Sequence, residues 1–249
     1  MNHSNINDTF FEGFYKDVWR KLIPAGLTEV ETDFIEDAAH LQKGQKVLDV
    51  MCGYGRHALE LGNRGYNVTA VDNLQDYINE INSKAEEQQV NVHGVCAGLL
   101  GVKLEHTYDG IICMGNSFAF FNEEDALAVL QNLSTHLKQG GVLIINTWML
   151  AEIAIKYFRD KDWFYADDFK YLIDNQYLFN PTRIESEHII IRQDGVTEVI
   201  KGVDYIFTVA ELSSLLSKAG FSLTNLYATP RKRVFNFGDS RAYLVATKH

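Results

Sequence analysis

The stretch from Lys46 to Asp72, KVLDVMCGYGRHALELGNRGYNVTAVD, constrains this chain more than any other. It opens on a short apolar run, Val47-Leu48-Asp49-Val50, which reads as a buried strand. A loop with Gly53 and Gly55 follows, then a helical segment ending at Arg64-Gly65. A second strand, Asn67 to Val71, stops at an acid, Asp72. Strand, glycine loop, helix, strand and acid in that order make half of a doubly wound, adenosine-binding βαβ unit. Gly53 is expected to turn the chain off the strand, and Gly55 to let backbone approach ligand closely. Asp72, at the second strand's carboxyl end, is placed to accept both ribose hydroxyls in charge-assisted hydrogen bonds.

Two adenosine ligands compete for such a unit. The spacing Gly53-x-Gly55-x-x-Ala58 also satisfies the loose dinucleotide fingerprint, so NAD has to be weighed. Asp49, inside the first strand and four residues before Gly53, decides between them. A dinucleotide brings a pyrophosphate, which a neighbouring carboxylate repels. S-adenosylmethionine brings an ammonium and a sulfonium, and a carboxylate suits both. A non-catalytic S-adenosylmethionine- or nucleotide-binding module stands as the alternative reading, with an NAD-dependent oxidoreductase third.

The segment VLDVMCGYGRHALELGNRGYNVTAVD resembles the first two motifs of class I S-adenosylmethionine-dependent methyltransferases, and the resemblance extends over most of the chain. Met114-Gly115-Asn116-Ser117-Phe118-Ala119 is similar to the loop after the fourth strand in glycine N-methyltransferase and related small-molecule enzymes. The resemblance implies S-adenosylmethionine as cofactor, S-adenosylhomocysteine as product and a small-molecule acceptor, an amine for preference. Cofactor contacts are expected from Tyr15, Asp49, Gly53, Tyr54, Gly55, Asp72, Asn73, Ala97, Gly98, Met114 and Gly115. The chain departs from the pattern in one place. Relatives commonly carry an acid just after the third strand, against the adenine amino group, where this chain has Cys96-Ala97-Gly98. Adenine is then left to backbone groups near Ala97, or to water.

A chain of 249 residues is long enough for one large domain with a lid. Its net charge of −10 argues against a nucleic-acid partner, which needs a basic face. Arg231-Lys232-Arg233 is the one basic cluster and reads as a solvated loop. Cys52, Cys96 and Cys113 are too few and too scattered for a disulfide framework or a zinc site, so they read as buried free thiols in a reducing compartment. Neither a signal peptide in MNHSNINDTF nor an apolar run of bilayer length is visible, so a cytoplasmic protein without a membrane partner is expected.

Taken in order, residues 8–23 read as an aromatic helix opened by a Thr9/Glu12 capping box, and 29–41 as a second opened by Thr28/Glu31. Together residues 1–40 form a helical lid. Residues 41–150 form the cofactor-binding core, with later strands at 90–95, 108–114 and 142–149, and helices at 75–88 and from Asn122. Residues 151–207 change rhythm. After a short helix come alternating segments at 169–179, 183–192 and 196–207, with a turn at Gln193-Asp194-Gly195, which mark an inserted antiparallel sheet over the substrate. Residues 208–249 return to the core with a helix capped by Thr208/Glu211 and two last strands. The expected fold is α/β: a Rossmann-like, doubly wound, seven-stranded, mostly parallel sheet whose last strand is antiparallel.

Methyl transfer from a sulfonium is an in-line displacement that asks mainly for positioning; a base is optional for a neutral amine and matters more for a hydroxyl or for an amine that arrives protonated. No metal is required. Asn116, Tyr15 and His57 are the catalytic candidates, with His57 read first as structural. Tyr15, Trp148, Phe118 and Phe121 are weighed as electron-rich faces for the sulfonium, and Arg56 as a partner for the methionine carboxylate. In the insertion, Trp163, Tyr165, Asp167, Asp168, Glu185, Glu187 and His188 are candidates for the acceptor pocket.

Overall fold

The structure, a computed structural model, is described for residues 5–249. The central unit folds as its pattern dictates. Strand β1 (Lys46–Val50) is buried from Val47 onward, the glycine loop leads into helix α3 (Arg56–Asn63), and β2 (Asn67–Asp72) returns beside β1 in parallel. Helix α4 (Gln75–Gln88) and edge strand β3 (Val92–Cys96) complete one half of the sheet. On the other side of β1 lie β4 (Tyr108–Cys113) and β5 (Leu137–Thr147), joined by α5 (Glu123–His136). Asn122 caps α5 by accepting the Asp125 N–H at 2.9 Å, and its acidic first turn sits at the positive end of the dipole.

After β5 the chain leaves the core through α6 (Ala151–Tyr157) and builds a separate antiparallel sheet from β6 (Lys161–Ala166), β7 (Phe169–Phe179), β8 (Thr182–Arg192) and β9 (Thr197–Tyr205). It returns through α7 (Val209–Lys218), whose Thr208/Glu211 capping box is formed, to β10 (Phe221–Tyr227) and β11 (Ala242–Lys248). The main sheet runs β10-β11-β5-β4-β1-β2-β3, and β11 is antiparallel to both its neighbours. This is the expected Rossmann-like, mostly parallel sheet with its last strand antiparallel. Its two faces bury separate apolar clusters, one under α5 and α7 and one under α2 (Leu27–Ala38), α3 and α4. Among the described residues no helix is long and apolar enough to cross a membrane.

The amino terminus departs from the reading, and its first four residues lie outside the described ones. In place of one helix over 8–23 there is a 3-10 turn, Ile6–Thr9, capped by Asn5 with Asp8, and a shorter α1 (Tyr15–Leu22). Gly13 breaks the run at φ +60°, and the Phe14 N–H donates to the Glu198 carboxylate at 2.8 Å. The Thr28/Glu31 box fails as well. Helix α2 starts earlier, after Gly26 at φ +79°, so Thr28 lies inside the helix and Glu31 is buried for other purposes. Strand β6 was not foreseen, and Cys96 is exposed where three buried thiols were expected.

The segment 5–22 is held to both neighbours. Asn7 donates to the Val203 carbonyl at 2.8 Å and accepts the Val203 N–H at 2.9 Å, joining the segment to β9 like one rung of a ladder. Asn73 donates to the Asp8 carbonyl at 2.8 Å, and the Arg20 guanidinium takes both oxygens of Glu80 on α4. Gly202 on β9 has no Cβ where one would lie 2.7 Å from the Phe10 ring, so an aromatic side chain rests directly on the inserted sheet.

Candidate active site

Two cavities open at the carboxyl ends of β1, β2 and β4, where a doubly wound sheet places its ligands. The first, of about 560 Å³, reaches from the glycine loop to Ala97 and Gly98 past β3. The second, of about 600 Å³, lies between the amino-terminal segment, the loop after β4 and the inserted sheet. They share a wall made by Asn7, Phe11, Trp19, Gly115 and Phe120.

Asp49 is the central group of the first cavity. It is 1% exposed, and its Oδ2 has no hydrogen-bond partner among the described residues. Burial pushes its carboxyl up to about 7, against the pull of Arg56 and with a further push from Asp72. A buried carboxylate oxygen left without a donor calls for a cationic ligand group. The ammonium of S-adenosylmethionine supplies one, and the pyrophosphate of a dinucleotide does not. Asp72 closes the far side. Its Oδ2 accepts the Gly53 N–H at 2.8 Å and its Oδ1 the Leu74 N–H at 3.0 Å, which fixes the carboxylate and leaves lone pairs toward the cavity. Burial raises its carboxyl, and those amide bonds oppose the rise.

Glu31, read from its spacing as a cap, is instead the anchor of this wall. It is fully buried and takes the Arg56 guanidinium at 2.7 Å, His57 Nε2 at 3.0 Å and the Tyr243 hydroxyl at 2.7 Å. Burial pushes its carboxyl up, but the bonds from His57, Arg56 and Tyr243 outweigh that and hold it near 2. His57 is 4% exposed, and burial followed by the Arg56 charge lowers its pKa. It holds Glu31 in place and also lines the first cavity. Arg56, tethered to Glu31 and Thr28, lines the first cavity.

The remaining sequence candidates divide. Gly53, Tyr54, Asn73, Ala97, Gly98, Met114 and Gly115 line the first cavity with Asp49 and Asp72. Gly55 does not. Its φ of +77° begins α3, and a Cβ there would lie 2.6 Å from Ile81, so the close approach it permits is to α4 and not to a ligand. The Ala97 N–H is already donated to the Asp72 carbonyl at 2.9 Å, so it is not free to read an adenine edge. Tyr15 lines the second cavity only, packed 4.5 Å from Phe10 and 6.0 Å from Tyr171 by ring centroids. Trp19, one of the aromatic residues of the amino-terminal helix, stands at the shared wall, its ring edge 3.4 Å from where a Gly115 Cβ would be. Phe121 lines the first cavity, Trp148 the second, and Phe118 is core.

Strand alternation sorts the insertion. Trp163 and Tyr165 face outward at 60% and 67% exposure, while Phe164 between them faces in. Asp167 and Asp168 pair with Lys21, Glu185 with Arg183 and Glu187 with Lys201. Of the seven candidates only His188 lines the cavity. Beside it on the floor are Tyr171, Ser186 and Asp204, brought together by the β7–β8–β9 register. Asn116, at φ +75°, does not present a free amide. It donates to Asp204 at 3.0 Å and accepts from the Thr147 hydroxyl at 2.8 Å and the Trp148 N–H at 3.0 Å.

Comparison with known proteins agrees with this geometry. The profile of a methyltransferase domain family matches residues 47–141. A probable S-adenosyl-L-methionine-dependent methyltransferase TehB from Haemophilus influenzae (strain 10810) is 30% identical over 48% of this chain and 41% of its own length. A glycine/sarcosine N-methyltransferase from Aphanothece halophytica is 27% identical over 65% of this chain and 62% of its own. The chain thus spans less than two thirds of either relative. The solved CcbJ methyltransferase from Streptomyces caelestis superposes with a TM-score of 0.84 over 100% of this chain and 99% of its own, at 16% identity, which is a likeness of fold. Residues 47–141 thus match a methyltransferase domain, set in a fold like that of solved methyltransferases.

Proposed function

We propose that this protein transfers the methyl group of S-adenosylmethionine to a small-molecule amine held in the second cavity. The observation that carries the reading is the shared wall. Gly115 and Trp19 border both chambers, so an acceptor in one can face a donor in the other across a single layer of side chains. When bound, the cofactor supplies a methyl on an already activated leaving group. Asp49 would hold its ammonium, Asp72 its ribose hydroxyls and Arg56 its carboxylate. The protein's remaining task is to align the acceptor and exclude water, which the lid and the aromatic wall suit. The similarity to a glycine/sarcosine N-methyltransferase supports an amine. Three free thiols and a net charge of −10 suit a cytoplasmic enzyme acting on a metabolite in preference to a nucleic acid.

The test is release of S-adenosylhomocysteine from S-adenosylmethionine and a pool of small amines, beside calorimetric titration with S-adenosylhomocysteine and with NAD. Turnover with amines and selective S-adenosylhomocysteine binding are expected. Binding of NAD in its place, or turnover only with RNA or a folded protein, would defeat the proposal.

A further inference from the structure

We infer that Asp204 is the group that receives the acceptor's nitrogen, drawing an alkylammonium into the aromatic chamber and removing its proton before methyl transfer. This rests on the methyl-transfer reading and adds to it a residue, a role and a substrate class.

The geometry isolates this carboxylate. Register places Asp204 of β9 opposite Ile184 of β8, and its side chain lines the second cavity. Among the described residues its one side-chain partner is Asn116, at 3.0 Å, and no Lys, Arg or His pairs with it. Asn116 is itself pinned by Thr147 and Trp148, so the carboxylate is held rigidly with further lone pairs open to the chamber. Asn116 directly follows Gly115 of the shared wall, which puts Asp204 one side chain from the donor cavity.

A structural role explains this less well. Anchoring an asparagine needs only an acceptor, which a serine or a second asparagine provides without partly desolvating a charge.

The groups that face Asp204 supply no cation. Tyr15 comes from α1, Tyr171 from β7 and His188 from β8. Burial pushes both tyrosine hydroxyls up and the His188 imidazole down to about 4, so all three are neutral at pH 7. The Tyr171 hydroxyl meets His188 Nδ1 at 2.5 Å, which ties up that pair. Arg159 and Asp162 touch the chamber only at its exposed mouth, where they pair at 3.7 Å. One partly buried negative charge among aromatic faces selects a cation. Burial also pushes the Asp204 carboxyl up to about 7, with the Asn116 bond opposing, which suits a proton acceptor at neutral pH.

The step balances. The Asp204 carboxylate takes one proton from R–NH3+, leaving R–NH2 and a neutral carboxyl. The freed nitrogen lone pair forms the N–C bond as the C–S bond breaks, its electron pair staying on sulfur. The methylated ammonium departs, and the carboxyl proton returns to solvent.

The test reads binding, so it does not depend on finding the acceptor. Benzylammonium, phenethylammonium and tryptamine are titrated against their matched alcohols and carboxylates, with and without S-adenosylhomocysteine. At least one ammonium should bind about tenfold or more tightly than its alcohol, as expected for a charge-assisted contact, with the carboxylate weakest. Asp204→Asn, near-isosteric and still able to accept from Asn116, should remove that preference while S-adenosylhomocysteine affinity stays unchanged. An alcohol or carboxylate binding as well as its ammonium in the wild-type protein overturns the inference, and so does a preference that survives Asp204→Asn. Failure of S-adenosylhomocysteine to bind would instead sink the methyl-transfer reading, because the cation preference is measured without it as well.

Discussion

Replacing Asp49 by Asn should weaken cofactor binding and strengthen the empty fold at the same time. In the ligand-free protein the carboxyl sits near 7, about three units above an unfolded aspartate near 3.9. Because the folded value is the higher one, its contribution to stability is fully present below about pH 4 and is lost as pH rises through about 7. At pH 8 that difference is worth ~4 kcal/mol against the fold. Asn removes the charge but leaves a buried amide short of partners, at a cost of about 1–3 kcal/mol. The net expectation is a ligand-free variant more stable by about 2 kcal/mol at pH 8, or about 4–8 °C in Tm for a chain of this size. At pH 4 that gain disappears. Binding should move the other way. Loss of a charged hydrogen bond to the ligand's ammonium costs about 1.5–3 kcal/mol, or about 10- to 150-fold in Kd. Wild-type affinity for S-adenosylhomocysteine should also fall as pH drops below about 7, by up to about tenfold per unit, because the carboxyl must first lose a proton. The variant should lack that dependence. Thermal melts from pH 4 to 8 and calorimetry across the same range measure both effects. An Asp49→Asn protein that is less stable at pH 8 and binds S-adenosylhomocysteine normally would refute the assignment.

Four other outcomes are expected. Asp72→Ala should raise the Kd for S-adenosylhomocysteine by at least the ~1.5–3 kcal/mol of a charged hydrogen bond while circular dichroism shows a folded domain; unchanged affinity would remove the ribose assignment. Glu31→Gln leaves Arg56 without its carboxylate and should cost about 3–5 kcal/mol in urea denaturation at pH 7. Since the folded Glu31 value of about 2 lies below the unfolded one, its contribution is present above about pH 4.3 and fades as pH falls toward 2, so the deficit should narrow there. Deleting residues 1–23 should reduce cofactor affinity while the seven-stranded sheet stays folded, because Val18 is buried with β7 and β8 residues and belongs to neither main core cluster; cooperative collapse would show that the segment is core. Shortening the inserted sheet should abolish turnover and spare S-adenosylhomocysteine binding, and a normal rate in the shortened protein would rule out a roofed acceptor site.

Local pattern and tertiary structure decided different things here. Lys46 to Asp72 was legible because each step of a βαβ unit leaves a local mark: an apolar strand, glycines at positive φ, a helical repeat, and an acid at the strand's end. Asp49 and Asp72 could be placed for the same reason, since their positions follow from the strands that carry them. The caps of α5 and α7 were equally local, made by side chains three residues from their partners. Glu31 matched the same spacing rule and failed it. Its partners, Arg56, His57 and Tyr243, lie 25, 26 and 212 residues away, and no local rule weighs a contact at that distance. Gly55 was assigned to the ligand because sequence reveals that a Cβ is absent there but not that Ile81 fills the space. In the insertion, alternation announced strands, yet which face turned inward depended on register across three strands and on where residues 5–22 lay. That register set a partly buried Asp204 against Asn116 and left Trp163 and Tyr165 in solvent. The two acids of the first cavity are thus written in one stretch of chain, whereas the second cavity exists only once segments from residues 7 to 240 have packed together, because its polarity is set by the one carboxylate that packing turns inward with an amide and no cation beside it.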